Sequence, residues 1–359
     1  MIIVGIDENG YGPILGPLII TASAFKVEKR GNLWQILNIS KNPDDYPKRV
    51  IVTDSKKLFS RNSLRCRRAG EKTVAIFFSL LFKKLPKEPD SFFSKILLNF
   101  SLFPKLCLES KTRYKPCWGK ISLPLWLKDI VVRGFSLAKI EKGIIKESEE
   151  LKKKLKEKKI KFLGLKTICV CPFQFNKLAK EKNKSYLNYL QFEKLIFYFL
   201  QKKEKKFFIF ADKIGGRKDY FFYLKSGLLK DWDCRILEES GEVSSYELNL
   251  KNKRANISFL QNGEEKEFPV ALSSLFGKYT REIFIKRINR FFQNYNPELK
   301  SVSGYRDPLT KEFIKRTENL REELKINENC FLREEHNFTP IFAIKPGLTG
   351  KARKLKIIQ

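Results

Sequence analysis

Residues 1–26 read MIIVGIDENGYGPILGPLIITASAFK. Ile2, Ile3, Val4 and Ile6 form a short apolar run that stops at Asp7 and Glu8, and a second run, LIITASAFKV, starts at Leu18. Between them lies NGYGPILGP, dense in the residues that punctuate a chain. Two strand-like runs joined by a Gly/Pro-rich turn predict a β-hairpin over the first 30 residues. Its first strand delivers two adjacent carboxylates at its end.

Outward from that hairpin, RVIVTD (49–54) predicts a further strand that also stops on an acid, Asp54. Asn62 or Ser63 is placed to cap a helix running through TVAIFFSLLF. From about 83 to 160 the signal weakens, with Pro at 86, 89, 104, 116 and 124 and then the charged helix ESEELKKKLKEKK. This stretch reads as an insertion, and its lysines as a solvated helix face. LKTICVCP (165–172) predicts a buried strand, and SYLNYLQFEKLIFYFLQ (185–201), apolar nearly all round, a buried helix whose Asn188 and Gln191 are either buried supports or helix-end contacts. KKFFIFAD (205–212) is the clearest strand of the second half and ends on Asp212. A short helix (YFFYLKSGLL), a strand (DCRILEE) and a hairpin around KNKRA follow, and then a helix from about Pro269 to Phe292. Strands alternating with helices imply an α/β fold with a mixed central sheet flanked by helices.

Composition narrows the chemistry. The 359 residues are 42% hydrophobic, enough for a sizeable core, and carry 72 Lys plus Arg against 40 Asp plus Glu, a formal net charge of +32. A surface so basic attracts polyanions, nucleic acid foremost. A Lys- and Phe-rich composition is also what an AT-rich genome produces, but the excess here is spread over most of the chain. Seven cysteines without paired CxxC units indicate neither a disulfide framework nor a zinc site. With no apolar run near 20 residues and an N-terminus that opens directly as a strand, the expected setting is cytoplasmic, without membrane and without an evident obligate protein partner. A single histidine, His336, in the polar stretch REEHNF, leaves catalysis to carboxylates, lysines or a metal.

Asp7, Glu8 and Asp212 therefore stand out. Functional groups gather at strand ends in open α/β sheets, and carboxylates converging there need cations, for which Mg²⁺ or Mn²⁺ with oxygen ligands are suited. Strands also end on polar residues for no reason but solubility, so the spacing alone leaves both readings open.

The motifs resemble those of type 2 ribonucleases H, the ribonuclease HII family. GIDENGYGPILGPL is similar to the family's opening signature, an Asp-Glu pair before a Gly-Arg-Gly-Pro turn, and VTDSKKL (52–58) to its Asp-Ser-Lys-Lys-Leu signature. FIFAD fits the strand of the third acid, PVALSSLFGKYTRE (269–282) the late helix, and SGYRDPLTKEF (303–313) the Ser-Gly-Tyr stretch. All five come in the family's order. The resemblance implies a ribonuclease H-like fold, Mg²⁺ or Mn²⁺ held by Asp7, Glu8 and Asp212, and endonucleolytic hydrolysis of the RNA strand of an RNA–DNA hybrid or of ribonucleotide-containing DNA. It implies that Gly10 and Gly12 let the backbone approach the ribose, that Asp54, Ser55 and Lys56 shape or contact the phosphate backbone, that Lys278 and Arg281 sit near the site, and that Tyr305 packs against the sugar.

Three departures qualify the resemblance. Tyr11 stands where the family has Arg. Glu282 replaces the Asp that closes the late-helix motif. No Asp stands at the place of the family's fourth acid. Counting forward from RILEE reaches Glu239 or Glu242, and counting back from the late helix reaches Glu264 or Glu265, because residues 244–262 read as an inserted hairpin. Glu239 or Glu242 is the expected ligand, on the ground that a strand end positions a ligand better than a hairpin end. ADKIGGRKDY adds a Gly-Gly turn flanked by Lys213 and Arg217. The expected organisation is a catalytic domain over 1–316 and a basic extension over 317–359. The competing reading is a nucleic-acid-binding protein of the same fold with lost or altered cleavage.

Overall fold

The computed structural model describes residues 1–98, 121–128, 137–181, 183–215 and 217–334. The strands are β1 (Ile2–Asn9), β2 (Leu18–Lys26), β3 (Lys161–Val170), β4 (Lys206–Asp212), β5 (Asp233–Glu239), β6 (Val243–Leu250) and β7 (Lys253–Leu260). They form one sheet in the order β3-β2-β1-β4-β7-β6-β5. β1, β4 and β7 run parallel to one another, while β2, β3, β6 and β5 join by antiparallel pairing, so the sheet is mixed as expected.

Among the described residues the helices are α1 (Leu33–Leu37), α2 (Ser55–Leu58), α3 (Leu64–Phe82), α4 (Pro89–Ile96), α5 (Leu137–Glu157), α6 (Pro172–Glu181), α7 (Lys184–Leu200), α8 (Phe221–Ser226), α9 (Gly263–Lys266), α10 (Phe268–Gln293), α11 (Pro308–Arg316), α12 (Glu318–Glu323) and α13 (Glu328–Phe331). None of them is long and apolar enough to cross a membrane. Ser63 caps α3 by accepting from the Cys66 amide, and Asn183 caps α7 by accepting from the Tyr186 amide.

The two faces of β1 build two cores, because successive side chains of a strand point to opposite sides. Ile2, Val4 and Ile6 join Leu187, Phe192, Leu195, Ile196 and Phe199 of α7 on one side. Ile3 joins Phe268, Val270, Leu272, Leu275 and Phe276 of α10 on the other, with α3, α4 and α5 completing that layer. Helix α10 lies close against the sheet because the residues at the contact are small. Ser273 Oγ donates to the Gly5 carbonyl at 2.8 Å, and Ser23 Oγ to the Pro269 carbonyl at 2.8 Å. A side chain at Gly5 would start 2.1 Å from the backbone of Pro269. Asn188 and Gln191 of α7 are both buried, Gln191 donating to the Leu187 carbonyl.

Several expectations are corrected here. Residues 49–54 are not a strand, since Ile51 makes only an isolated bridge to Ser40; the Val50 carbonyl accepts from the Ser40 amide, but the next two carbonyls are taken by side chains, Ile51 O by Thr73 Oγ1 and Val52 O by Trp34 Nε1. The hairpin at 244–262 forms, but it is integral to the sheet, with β7 paired in parallel with β4 from Lys206↔Arg254 to Asp212↔Leu260. Of the expected insertion, 99–120 and 129–136 lie outside the described residues, and α4 and α5 pack onto the α10 side of the core. Residues 317–334 do not stand apart as an extension: Cys330 and Phe331 are buried with Leu15, Ile288 and Phe292, and Leu332 bridges to Leu15. His336 and the tail from 335 lie outside the described residues.

Candidate metal centre and nucleic-acid interface

The parallel strands β1 and β4 pair with Ile6 opposite Ala211. That register carries Asp7 and Asp212 to neighbouring positions at the same end of the sheet, with Glu8 one residue further. The three offer carboxylate oxygens that all lie within 4.8 Å of one another. Asp7 is buried, and it accepts from Asn9 Nδ2 at 3.3 Å, the same amide also donating to the Ser274 carbonyl. Asp212 Oδ1 accepts from the Gly263 amide at 2.9 Å.

Crowded, desolvated carboxylates resist ionisation. Burial and then the Asp212 charge raise the Asp7 carboxyl well above its usual range, and burial and then Asp7 do the same to Glu8. Burial, with Glu264 adding to it, pushes Asp212 up to about 6 against the pull of the Gly263 amide and Lys56. Lys56 resists its own desolvation because Asp54, Glu264, Asp7 and Asp212 hold its proton, and its pKa is raised. This donor set fits a hard divalent cation: carboxylate oxygens only, gathered at one end of the sheet, and Glu8 Oε2 buried with no hydrogen-bond partner.

Glu239 and Glu242, the expected fourth acids, are not brought to this place. Glu239 pairs with Ser244, which pairs with Phe259, which pairs with Ala211. It is thus three strands from β4, roughly 14 Å at the spacing of a sheet. There it accepts from the Tyr246 hydroxyl at 2.5 Å. Glu242 sits in the β5–β6 turn, where its carbonyl accepts from the Gln261 amide. The acid that the fold does bring to the cluster is Glu264, in α9 immediately beyond β7. Its charge raises Asp7, Glu8 and Asp212 alike, and its Oε2 is buried without a partner. The expectation failed because β7, read as half of an insertion, is itself a central parallel strand, and its end opens onto the site. The usable signal was the short spacing back from the late helix, where few residues separate Glu264 from Phe268.

Of the remaining residues, Asp54, expected to shape or contact the phosphate backbone, caps α2 with its Oδ1, which accepts from the Lys56 amide at 2.8 Å. Ser55 is buried and accepts from Ser274 Oγ at 2.9 Å, tying the DSKKL segment to α10 beneath the acids. Lys278 is ion-paired with Glu282 at 3.3 Å, one turn further along α10. Arg281 is fully buried and donates to the Leu15 and Ser303 carbonyls. The Gly304 carbonyl accepts from the Ile14 and Leu15 amides, which brings the SGYRD stretch beside the first turn. Tyr305 is thereby exposed with Arg281 and Lys278 over its ring, at 5.3 and 5.7 Å from the centroid.

Gly10 has φ +89, and a side chain there would start 2.8 Å from Arg281 Nε, so the turn needs glycine on both counts. Gly12 faces open space. Tyr11 packs under Lys184, whose ammonium lies 4.1 Å from the ring centroid. Tyr11 also closes on the Gly215 turn, where a Cβ would start 3.3 Å from its hydroxyl oxygen. Lys213 donates to the Ser240 carbonyl, and Arg217 lies over Tyr223 with its guanidinium 4.3 Å from the ring centroid. Sequence reasoning missed two residues at this turn, Lys184 and Arg333. Neither stands in a motif, and both reach the turn only through tertiary packing.

No family model matches the chain. Over 205 residues it is 26% identical to the ribonuclease HII of Methanococcus vannielii, an alignment that covers 55% of this chain and 72% of that protein. Among solved structures it is similar to the ribonuclease HII of Archaeoglobus fulgidus, solved in complex with PCNA, at 14% identity over 98% of each chain and a TM-score of 0.37. It is also similar to the ribonuclease H2 of Pyrococcus horikoshii OT3, at 17% identity over 92% of each chain and a TM-score of 0.36. Overlaps that shallow carry no weight beside the aligned relative and the residues themselves. That relative's name agrees with what the order of the five motifs implies: the chain is similar to a ribonuclease HII over 205 residues.

Proposed function

We propose that the chain is a divalent-metal-dependent endonuclease that hydrolyses the RNA strand of RNA–DNA hybrids. The observation that carries this reading is the convergence of Asp7, Glu8 and Asp212 within 4.8 Å at the ends of neighbouring parallel strands. Asp7, Glu8 and Asp212 would hold Mg²⁺ or Mn²⁺, with Glu264 at the rim of the cluster. A divalent cation there supplies charge for the phosphoryl group and lowers the pKa of water. The chain's own residues do the rest. Asn9 and Ser274 fix the Asp7 carboxylate, and the Gly263 amide fixes that of Asp212. Lys56 offers an ammonium beside the acids for a substrate phosphate, and exposed Tyr305 offers a ring face to a sugar. Phosphate contacts of this kind are largely blind to base sequence. A cytoplasmic location goes with this reading.

The test is cleavage of labelled duplexes with Mg²⁺ or Mn²⁺: a full hybrid, a DNA duplex with one ribonucleotide, and plain DNA. Cutting of the hybrid that is abolished by Asp7→Asn and by Asp212→Asn, with plain DNA left intact, is the expected result. Tight, salt-sensitive binding without cutting under either metal would replace the nuclease with a catalytically silent binder of the same fold.

A further inference from the structure

Two arginines from distant parts of the chain meet at the Gly10 turn. Arg281 comes from α10 and is completely buried; Arg333 follows α13 and is 4% exposed. Arg333 Nη1 donates to the Gly10 carbonyl at 2.6 Å, and Arg281 Nη2 donates to the Leu15 and Ser303 carbonyls at 3.1 and 3.0 Å. The other nitrogens are orphans: Nε and Nη1 of Arg281, and Nε and Nη2 of Arg333, are buried with no hydrogen-bond partner. Neither guanidinium forms an ion pair with an acid among the described residues, and Glu282, the carboxylate next to Arg281 in sequence, is engaged by Lys278 at 3.3 Å.

The cations also oppose one another. Burial, then Arg281 and Arg306, bring the Arg333 guanidinium down to about 9, and burial, then Arg333 and Arg306, bring the Lys184 ammonium down to about 8. Lys184 has the Tyr11 ring beneath it and no ion-pair partner among the described residues. Buried charge without a counter-charge is costly, and an anion brought to these side chains would offset that cost. The unmade hydrogen bonds belong to planar forks that suit a phosphate in two-point contact. Acids dominate the other end of the turn, at Asp7 and Glu8, so an anion is drawn to the Gly10 side.

We propose that Arg281 and Arg333, with Lys184 at the rim, form a pocket for one phosphate of the nucleic-acid strand, a neighbour of the phosphate that meets the acid cluster. The proposal rests on the nuclease reading above. The spacing suits it: three residues from Asp7 to Gly10 span at most about 11 Å, within about three steps of roughly 3.4 Å along a duplex strand. Gly12, with open space where a side chain would be, leaves the rim of the turn clear.

The experiment measures binding of hybrid duplexes by the full chain carrying Asp7→Asn, so that no cutting intervenes. Each duplex carries one neutral methylphosphonate, placed in turn at the phosphates within three steps of the cleavage position. One placement is expected to weaken binding roughly 10- to 100-fold, the size of a lost charged hydrogen bond. Arg333→Gln should weaken the unmodified duplex to a similar extent and lower the salt slope by about 1. In that variant the sensitive methylphosphonate should cost nothing further. Lys184→Gln, a change at a partly exposed position that threatens folding less, should show the same loss of additivity at the same phosphate. Full additivity of both variants with every methylphosphonate would make Arg333 a structural strut and overturn the pocket alone. Failure to bind any hybrid at low salt would overturn the hybrid reading together with the pocket.

Discussion

At the scale of single residues, the position of an acid matters more than its type. Glu264 sits in α9 at the end of β7 and raises the pKa of all three clustered carboxylates, whereas Glu239 accepts from Tyr246 three strands away from β4. Glu264→Gln is therefore expected to reduce metal-dependent cleavage by roughly 10- to 100-fold, the usual cost of losing a group that orients a metal site. Glu239→Gln and Glu242→Gln should leave the rate within about twofold, with Glu239→Gln costing at most about 1 kcal/mol of stability for its one hydrogen bond. Steady-state rates of the three variants at fixed Mn²⁺ decide the matter, and a large loss in either of the latter two would return the fourth position to the β5–β6 end. The chain itself pointed to Asp7, Glu8 and Asp212, because each ends an apolar run. Glu264 was visible only as one of two ways to count, since nothing in RANISFLQNGEE says that its strand lies beside β4.

At the scale of elements, the site depends on how closely α10 can approach β1. Gly5 meets the Pro269 backbone with no room for a methyl group, and Gly277 faces Asn9, where a Cβ would start 2.6 Å from Nδ2. Asn9 in turn holds Asp7 and the Ser274 carbonyl. Gly5→Ala should push the helix off the sheet, at a cost near the upper end of the roughly 1–3 kcal/mol typical of overpacking. Gly12→Ala, at a position with open space around it, should leave stability within about 0.5 kcal/mol of wild type. Denaturant unfolding of both variants gives the comparison, and equal midpoints would mean that α10 can yield without strain. The helix was legible in the sequence as an apolar run from about 269 to 292. Its closeness to the sheet was not, because small residues such as Gly5 and Ser273 reveal a near approach only once their partners are known.

At the scale of the whole molecule, the acid cluster makes stability depend on pH and metal together. Asp7 and Glu8 are held well above their ordinary values of 3.8 and 4.5, and Asp212 at about 6. A carboxyl whose pKa is higher in the folded state favours folding fully below its unfolded value and loses that contribution as pH rises through the folded value. Without divalent metal, the cluster's contribution should therefore fall from about pH 4 through pH 6 and beyond. Asp7→Asn removes one of the repelling charges, so its melting temperature should match wild type near pH 4. At pH 7 it should exceed wild type by roughly 2–4 °C, the size of about 1 kcal/mol in a large chain. Mn²⁺ at pH 7 should raise the wild-type melting temperature and leave Asp7→Asn nearly unmoved. Calorimetry at the two pH values checks this, and an Asp7→Asn protein that melts below wild type at pH 7 would show that the carboxylate is stabilising as it stands.

What the sequence determined alone was whatever repeats at short range. Apolar runs marked β1, β2 and β4, period-two alternation marked the β6–β7 hairpin, punctuation marked the turns, and a lone His and a charge of +32 pointed to carboxylates, lysines or a metal acting on a polyanion. Tertiary structure decided whatever depends on which strands are neighbours. It placed β7 beside β4 and so put Glu264 at the acids, turned Asp54 into a helix cap, and folded residues 317–334 back so that Arg333 reaches Gly10. The physical reason is that a strand's own pattern tells which side chains are buried but carries no mark of its partner. Long-range pairing is chosen by the fit of the assembled layers, over separations such as the 323 residues between Gly10 and Arg333.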